Sequence, residues 1–116
     1  MRRARGRLGD GRDPCDAIAP GVGTGVVFDA VVRATREGGL PGYRRHHAGH
    51  GIGLEAAESP WLSHGGPALE PGMVVCVEAP YYAPGDLGVN ATDTVLVTHT
   101  GGLVMNRSHR GLVVLD

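Results

Sequence analysis

Lysine is absent from this sequence of 116 residues, and all 11 of its basic residues are arginine. We read that as codon bias toward GC-rich triplets rather than as function. Net charge is also nearly absent, at −1. The chain as a whole therefore has no electrostatic pull toward nucleic acid or an anionic membrane. Cysteine is scarce, with only Cys15 and Cys76. Two distant cysteines in a small chain argue against a disulfide framework and for reduced, structural thiols. No apolar run approaches the roughly 18 residues that a membrane span needs. The basic N-terminus is not followed by an apolar core, so it does not read as a secretory signal. Together these absences point to the cytoplasm.

What the chain does have is glycine and proline, 20 and 8 residues respectively. They punctuate apolar runs rather than forming low-complexity tracts, which predicts short elements joined by turns. Residues 1–16 begin MRRARGRLGDGRDP and offer almost nothing to bury. We expect a disordered basic tail there, with one domain over residues 17–116.

A helix is expected from Thr24 to Glu37. Val27, Phe28, Val31 and Val32 form one stripe at helical spacing, with Asp29, Arg33, Arg36 and Glu37 for the wet side. Thr24 can cap its start and Gly38-Gly39 can end it. The next segment, Tyr43 to Trp61, is too rich in glycine to be helical and suits an extended backbone in close approach to another. Met73 to Val77 reads as a strand buried on both faces, ending at Glu78. Ala79 to Gly88 reads as a turn-rich connection. Val89 to Thr98 is β-branched and strand-like. Leu103–Met105 and Leu112–Leu115 can add short strands. The order predicts an α+β fold, one helix on a mostly antiparallel sheet.

Three features carry chemistry. His46 and His50 are four residues apart with His47 between them. Glu78 ends a strand, and Asp93 lies within another. Imidazole and carboxylate are ligands for zinc, manganese, cobalt or iron. Taken singly, each also has an ordinary structural reading: exposed histidines on a loop, or a solvated glutamate at a strand end.

The joint pattern is more specific. HHAGHGIGLEAAESPWL, then LEPGMVVCVEAPYYAPGDLGV, then TDTVLVT with Gly101-Gly102 resembles peptidase family M24 in order and spacing, over roughly residues 17–106. That family includes Xaa-Pro aminopeptidases, methionine aminopeptidases and creatinase. The resemblance implies the C-terminal half of a pita-bread fold, and hydrolysis of C–N bonds in peptides or small amides. It also implies a pair of divalent ions (Mn, Co or Zn) held by two aspartates, one histidine and two glutamates.

Carried over by position, the metal histidine falls on His50 and the first glutamate on Glu78. The second glutamate falls on Thr92. Asp93 is one residue away, and strand alternation turns it to the other face. A histidine that contacts substrate falls on His46, and a further one near the scissile bond falls on Ala57. The two aspartates come from a strand pair that has no counterpart before the helix. Two ligands cannot hold a dinuclear cluster, so we expect only weak metal binding and no catalysis by this chain alone. The resemblance thus implies a truncated Xaa-Pro aminopeptidase-like protein with a degraded metal site. Alternatives are a non-catalytic remnant that binds a partner and a creatinase-like, metal-independent hydrolase fragment. Its partners would be a peptide or small amide, and the missing half of the domain or a second copy.

Overall fold

The computed structural model describes residues 13–108 and 114–115. The element order is a 3-10 turn at Pro14–Ala17, α1 at Thr24–Glu37, then β1 at Gly49–Gly51 and β2 at Glu58–Trp61. The strands β3 at Val74–Ala83, β4 at Leu87–Val97 and β5 at Gly102–Val104 follow. The strands form one antiparallel sheet in the order β2-β1-β3-β4-β5.

The helix lies where the apolar spacing places it. Val27, Val31 and Val32 are buried, while Asp29, Arg33, Arg36 and Glu37 are exposed. Its bounds, Thr24 to Glu37, are those expected, but its cap is not. Gly23 is the N-cap and makes no side-chain cap bond. Thr24 is fully buried instead, and its hydroxyl donates to Ser63 O at 2.9 Å. A hydroxyl sealed in the core needs an acceptor, and the nearby loop carbonyl offers one.

Strand alternation gives the sheet two different faces. Val75, Val77, Val95 and Val97 share a single core with Val27 and Val31 of α1, and with Ile18, Leu62 and Leu69. The opposite face carries Cys76, Glu78, Thr92 and Thr94, aligned by the registers Cys76↔Thr94 and Glu78↔Thr92. Over Val75–Val77 β3 is buried on both faces, as its unbroken apolar run predicted, and the face that carries Cys76 turns polar at Glu78.

Two further expectations are corrected. The turn-rich connection over Ala79–Gly88 is mostly strand: β3 runs on to Ala83, and only Pro84 to Asp86 turn before β4. Pro80 is tolerated because β1 pairs with β3 only as far as Val77, so the missing N–H costs no ladder bond on that edge, where the Pro80 carbonyl accepts from the Tyr43 hydroxyl at 2.7 Å. The other correction concerns the tail. Residues 1–12 lie outside the described residues, but Asp13 to Asp16 are not a disordered continuation of them. The Asp13 carboxylate accepts from Cys15 N at 2.9 Å, Pro14 sits in the first turn, and Cys15 is buried in the core. A proline with its φ already set and an aspartate cap favour such a turn. The expected strand at Leu112–Leu115 falls mostly on residues outside those described.

Candidate metal centre

The centre is assembled by β1, β3 and β4. β1 can approach β3 because residue 49 is glycine. Its φ is +133°, and a Cβ there would strike the Cys76 carbonyl. Only glycine tolerates both conditions. Ala48 O accepts from Glu78 N at 2.9 Å, and His50 pairs with Cys76. These contacts put the side chains of His50 and Glu78 on the same face of neighbouring strands.

His50 Nε2 lies 3.2 Å from Glu78 Oε1, and the two side chains are only 14% and 18% exposed. His50 Nδ1 lies 2.8 Å from Gly51 O. A carbonyl can only accept, so Nδ1 carries the proton. In the neutral ring Nε2 then presents a lone pair, facing a carboxylate oxygen that also only accepts. Two acceptors at that distance suit a shared proton or a metal ion between them. Donation of the second ring nitrogen to a backbone carbonyl is the usual way a metal-binding histidine is oriented.

Thr92 sits directly across β4 from Glu78. It is exposed, and its hydroxyl donates to Asn90 Oδ1 at 3.2 Å. It contributes no charge. Asp93 points to the opposite face, opposite Val77. There it accepts from Asn106 Nδ2 at 2.9 Å and from Cys15 Sγ at 3.8 Å. Ala57 is exposed in the turn before β2, with no group to offer. His46 is exposed in the loop leading to β1 and lines a cleft against α1 with Arg36, Arg44 and Arg45. The structure thus brings together His50, Glu78 and the Thr92 position, and it places His46 beside α1. His47 accepts from Gly49 N at 3.3 Å through Nδ1.

Sequence reasoning passed over three neighbours. Trp61, the single tryptophan, packs edge-on against the rings of His50 and His47, with centroids 5.8 and 5.5 Å away. Its half-exposed ring walls the site, and an apolar side chain at a glycine-rich histidine loop was the available signal. Cys76 faces the same side as His50. Tyr43 buttresses β3 beneath the site through Pro80. Burial pushes the Tyr43 phenol above its ordinary pKa of 10.0, against the lowering effect of the Arg45 guanidinium, with Tyr82 and Glu78 adding to the rise.

The donor set suits a divalent ion in type but not in number. Among the described residues no group of three histidine, cysteine, aspartate or glutamate side chains is arranged to hold a metal. His50 and Glu78 are two ligands, short of the three that a catalytic zinc normally takes from protein.

Comparison with known proteins identifies the family and the fold. The family model for metallopeptidase family M24 matches residues 13–99. An uncharacterized peptidase, YqhT of Bacillus subtilis, is 41% identical over 100 residues, covering 84% of this chain and 28% of its own length. The Xaa-Pro dipeptidase of Pyrococcus furiosus is 36% identical over 100 residues, again 84% of this chain and 28% of that protein. The crystal structure of dipeptidase PepE from Mycobacterium ulcerans superposes with a TM-score of 0.75 at 38% identity, covering 85% of this chain and 27% of that one. The chain therefore spans little more than a quarter of the length of the relatives it matches. Its five-stranded antiparallel sheet and helix are half of a pita-bread domain.

Proposed function

The chain belongs to metallopeptidase family M24, and from that premise we propose that it contributes one side of an Xaa-Pro dipeptidase-like metal centre. The observation that carries this reading is His50, with Nδ1 given to Gly51 O and Nε2 held 3.2 Å from Glu78 Oε1. His50 and Glu78 would hold the ion, which is Mn, Co or Zn in this proposal. A bound divalent ion supplies Lewis acidity, lowering the pKa of a water and polarising an amide carbonyl.

The chain's own residues have narrower tasks. The Gly51 carbonyl fixes the tautomer and the plane of His50. The backbone bond from Glu78 N to Ala48 O fixes the carboxylate beside it. Trp61 packs against the His50 ring and shields that flank from water, which strengthens its interaction with a cation. Thr92 faces Glu78 with a neutral hydroxyl and cannot bridge two ions. The remaining ligands would come from beyond the described residues or from another chain. We propose accordingly that this chain by itself is catalytically silent, with an Xaa-Pro peptide as the substrate class of the completed site. His46 is the proposed substrate contact. Cys15 and Cys76 are both buried and are not joined in a disulfide, which supports a reducing, cytoplasmic setting. Among the described residues no helix is long and apolar enough to cross a membrane.

The neutral groups at Thr92 and Ala57 favour a second reading, in which the fold serves as a peptide-binding module without catalysis. One experiment addresses both. Mn, Co or Zn is titrated into the purified chain while Trp61 fluorescence is followed, and Xaa-Pro dipeptide hydrolysis is assayed in parallel. We expect weak quenching that is lost in His50→Ala and Glu78→Gln, and no turnover. Quenching that persists in both variants would remove the metal reading. Turnover abolished by His50→Ala would overturn the claim of silence.

A further inference from the structure

The long hairpin of β3 and β4 has two edges, and only one is protected. Past Val77, β1 no longer pairs with β3. On that edge Pro80 has no N–H to offer, and its carbonyl accepts from the Tyr43 hydroxyl. The outer edge of β4 has no such device. β5 pairs with β4 only over Val95 to Val97. Thr94 N donates to Asn106 Oδ1 and Thr94 O accepts from Met105 N, and there the covered part ends.

The same bonds fix which backbone groups point outward. Thr94 faces the β5 side, while Val97 N and O bond to Met73 O and Gly72 N on the β3 side. These directions alternate along an antiparallel strand. The register runs from Val74↔Leu96 to Ala83↔Leu87 without a bulge, so Thr92, Asn90 and Gly88 point outward as well. Among the described residues no strand pairs with them on that side. Their N–H and C=O groups stand in one row on a free edge over residues 87–93. The segment, LGVNATD, has no proline and no basic residue, and its one acid, Asp93, accepts from Asn106 Nδ2. Such an edge is a template for another strand.

We propose that this edge pairs with the same edge of a second copy, antiparallel about a two-fold axis at Asn90, joining two five-stranded sheets into one. The segment is complementary to itself. Asn90 is its midpoint, so Thr92 comes opposite Gly88 of the second copy, and all three outward residues are paired at once. Neither the turn before β4 nor β5 is overrun. On the core-side face Val89 meets Ala91 of the second copy, and Tyr81 and Ala79 on β3 extend both rows with apolar groups. Val89 and Leu87, 55% and 48% exposed in the single chain, are partly covered. Leu87 stands opposite Asp93 of the second copy, so like charges do not meet. An isologous contact of this kind closes on itself as a dimer. It uses the backbone of β4 and neither His50 nor Glu78, so it stands or falls separately from the metal centre.

The test combines sedimentation equilibrium of the full chain, across micromolar to millimolar concentrations, with amide hydrogen exchange. The expected result is a reversible dimer in which the Gly88, Asn90 and Thr92 amides exchange more slowly as concentration rises. Asn90→Pro removes an outward N–H that makes no bond to β3, so the hairpin keeps its ladder. Through the two-fold it deletes two bonds between the copies and should raise the dimer dissociation constant at least about tenfold. Asn90→Asp sets like charges directly opposite each other and should also weaken the dimer. Arg33→Gln, an exposed arginine of α1, should stay within about twofold of the parent.

A chain that stays monomeric throughout, or a dimer indifferent to both Asn90 variants, would overturn the proposal. So would protection of the three amides that does not depend on concentration, which would mean that the chain covers its own edge. Should Asn90→Pro not fold, Asn90→Asp and the concentration dependence of exchange in the parent still decide.

Discussion

Thr92→Glu should convert a two-ligand site into a three-ligand one, at a cost that appears only without metal. Residue 92 pairs directly with Glu78. Opposed side chains on neighbouring strands have Cβ atoms roughly 5 Å apart. Two like charges at ~5 Å repel by about 3 kcal/mol at an effective dielectric of 20 and by about 1 kcal/mol in water. Thr92 is exposed and Glu78 is 18% exposed, which puts the penalty toward the lower figure. A loss of about 1 kcal/mol lowers the melting midpoint by roughly 4–8 °C in a domain of this size.

Adding zinc should reverse the sign. Two carboxylates and His50 Nε2 would then converge on one cation. Free ion at 100 times its Kd stabilises the folded state by about 2.7 kcal/mol, more than the repulsion costs. The assay is a pair of thermal melts, in EDTA and in excess zinc, on the parent, Thr92→Glu and Thr92→Gln. The glutamine variant carries the length without the charge and should show neither the loss nor the gain. A Thr92→Glu protein that melts below the parent by the same interval in both conditions would refute the register argument and the assignment of position 92 to the site.

Four further outcomes are expected. Tyr43→Phe should lose about 1 kcal/mol in urea unfolding, through the broken bond to Pro80 O. The same hydroxyl should give the parent an alkaline sensitivity. The folded-state pKa is raised, so its contribution is fully present below the unfolded value of about 10 and is lost as pH rises through the folded value. Urea midpoints measured from pH 9 upward should therefore fall less steeply in Tyr43→Phe than in the parent. Gly49→Ala should cost more than the roughly 1 kcal/mol typical of surface glycine changes, because φ is +133° and the Cys76 carbonyl occupies the Cβ position. Failure to destabilise in denaturant melts would show that β1 sits otherwise. Leu62→Ala, at a fully buried position packed into the main core, should lose about 2–5 kcal/mol by calorimetry.

Much of this molecule was legible as pattern. The stripe Val27, Phe28, Val31 and Val32 marked α1, because an apolar face at period 3.6 has one consistent solution, and Gly38-Gly39 marked its end. Thr92 and Asp93 could be assigned to opposite faces before any coordinates, since side chains alternate along a strand whatever surrounds it. Other features depended on partners distant in the chain. Pro80 and the two tyrosines looked like a loop, and only pairing with Leu87–Asn90 and the Tyr43 hydroxyl made them strand. Cys15 sat among polar neighbours, and only the packing of its turn against α1 and the sheet put it in the core. The histidines show the division most clearly. Local sequence marked His46, His47 and His50 alike, as imidazoles on a glycine-rich segment. The register of β1 on β3 then gave His50 to Glu78, turned His47 to Trp61 and left His46 with the arginines beside α1. A pairing register is a property of two strands at once, and no single stretch of sequence contains it.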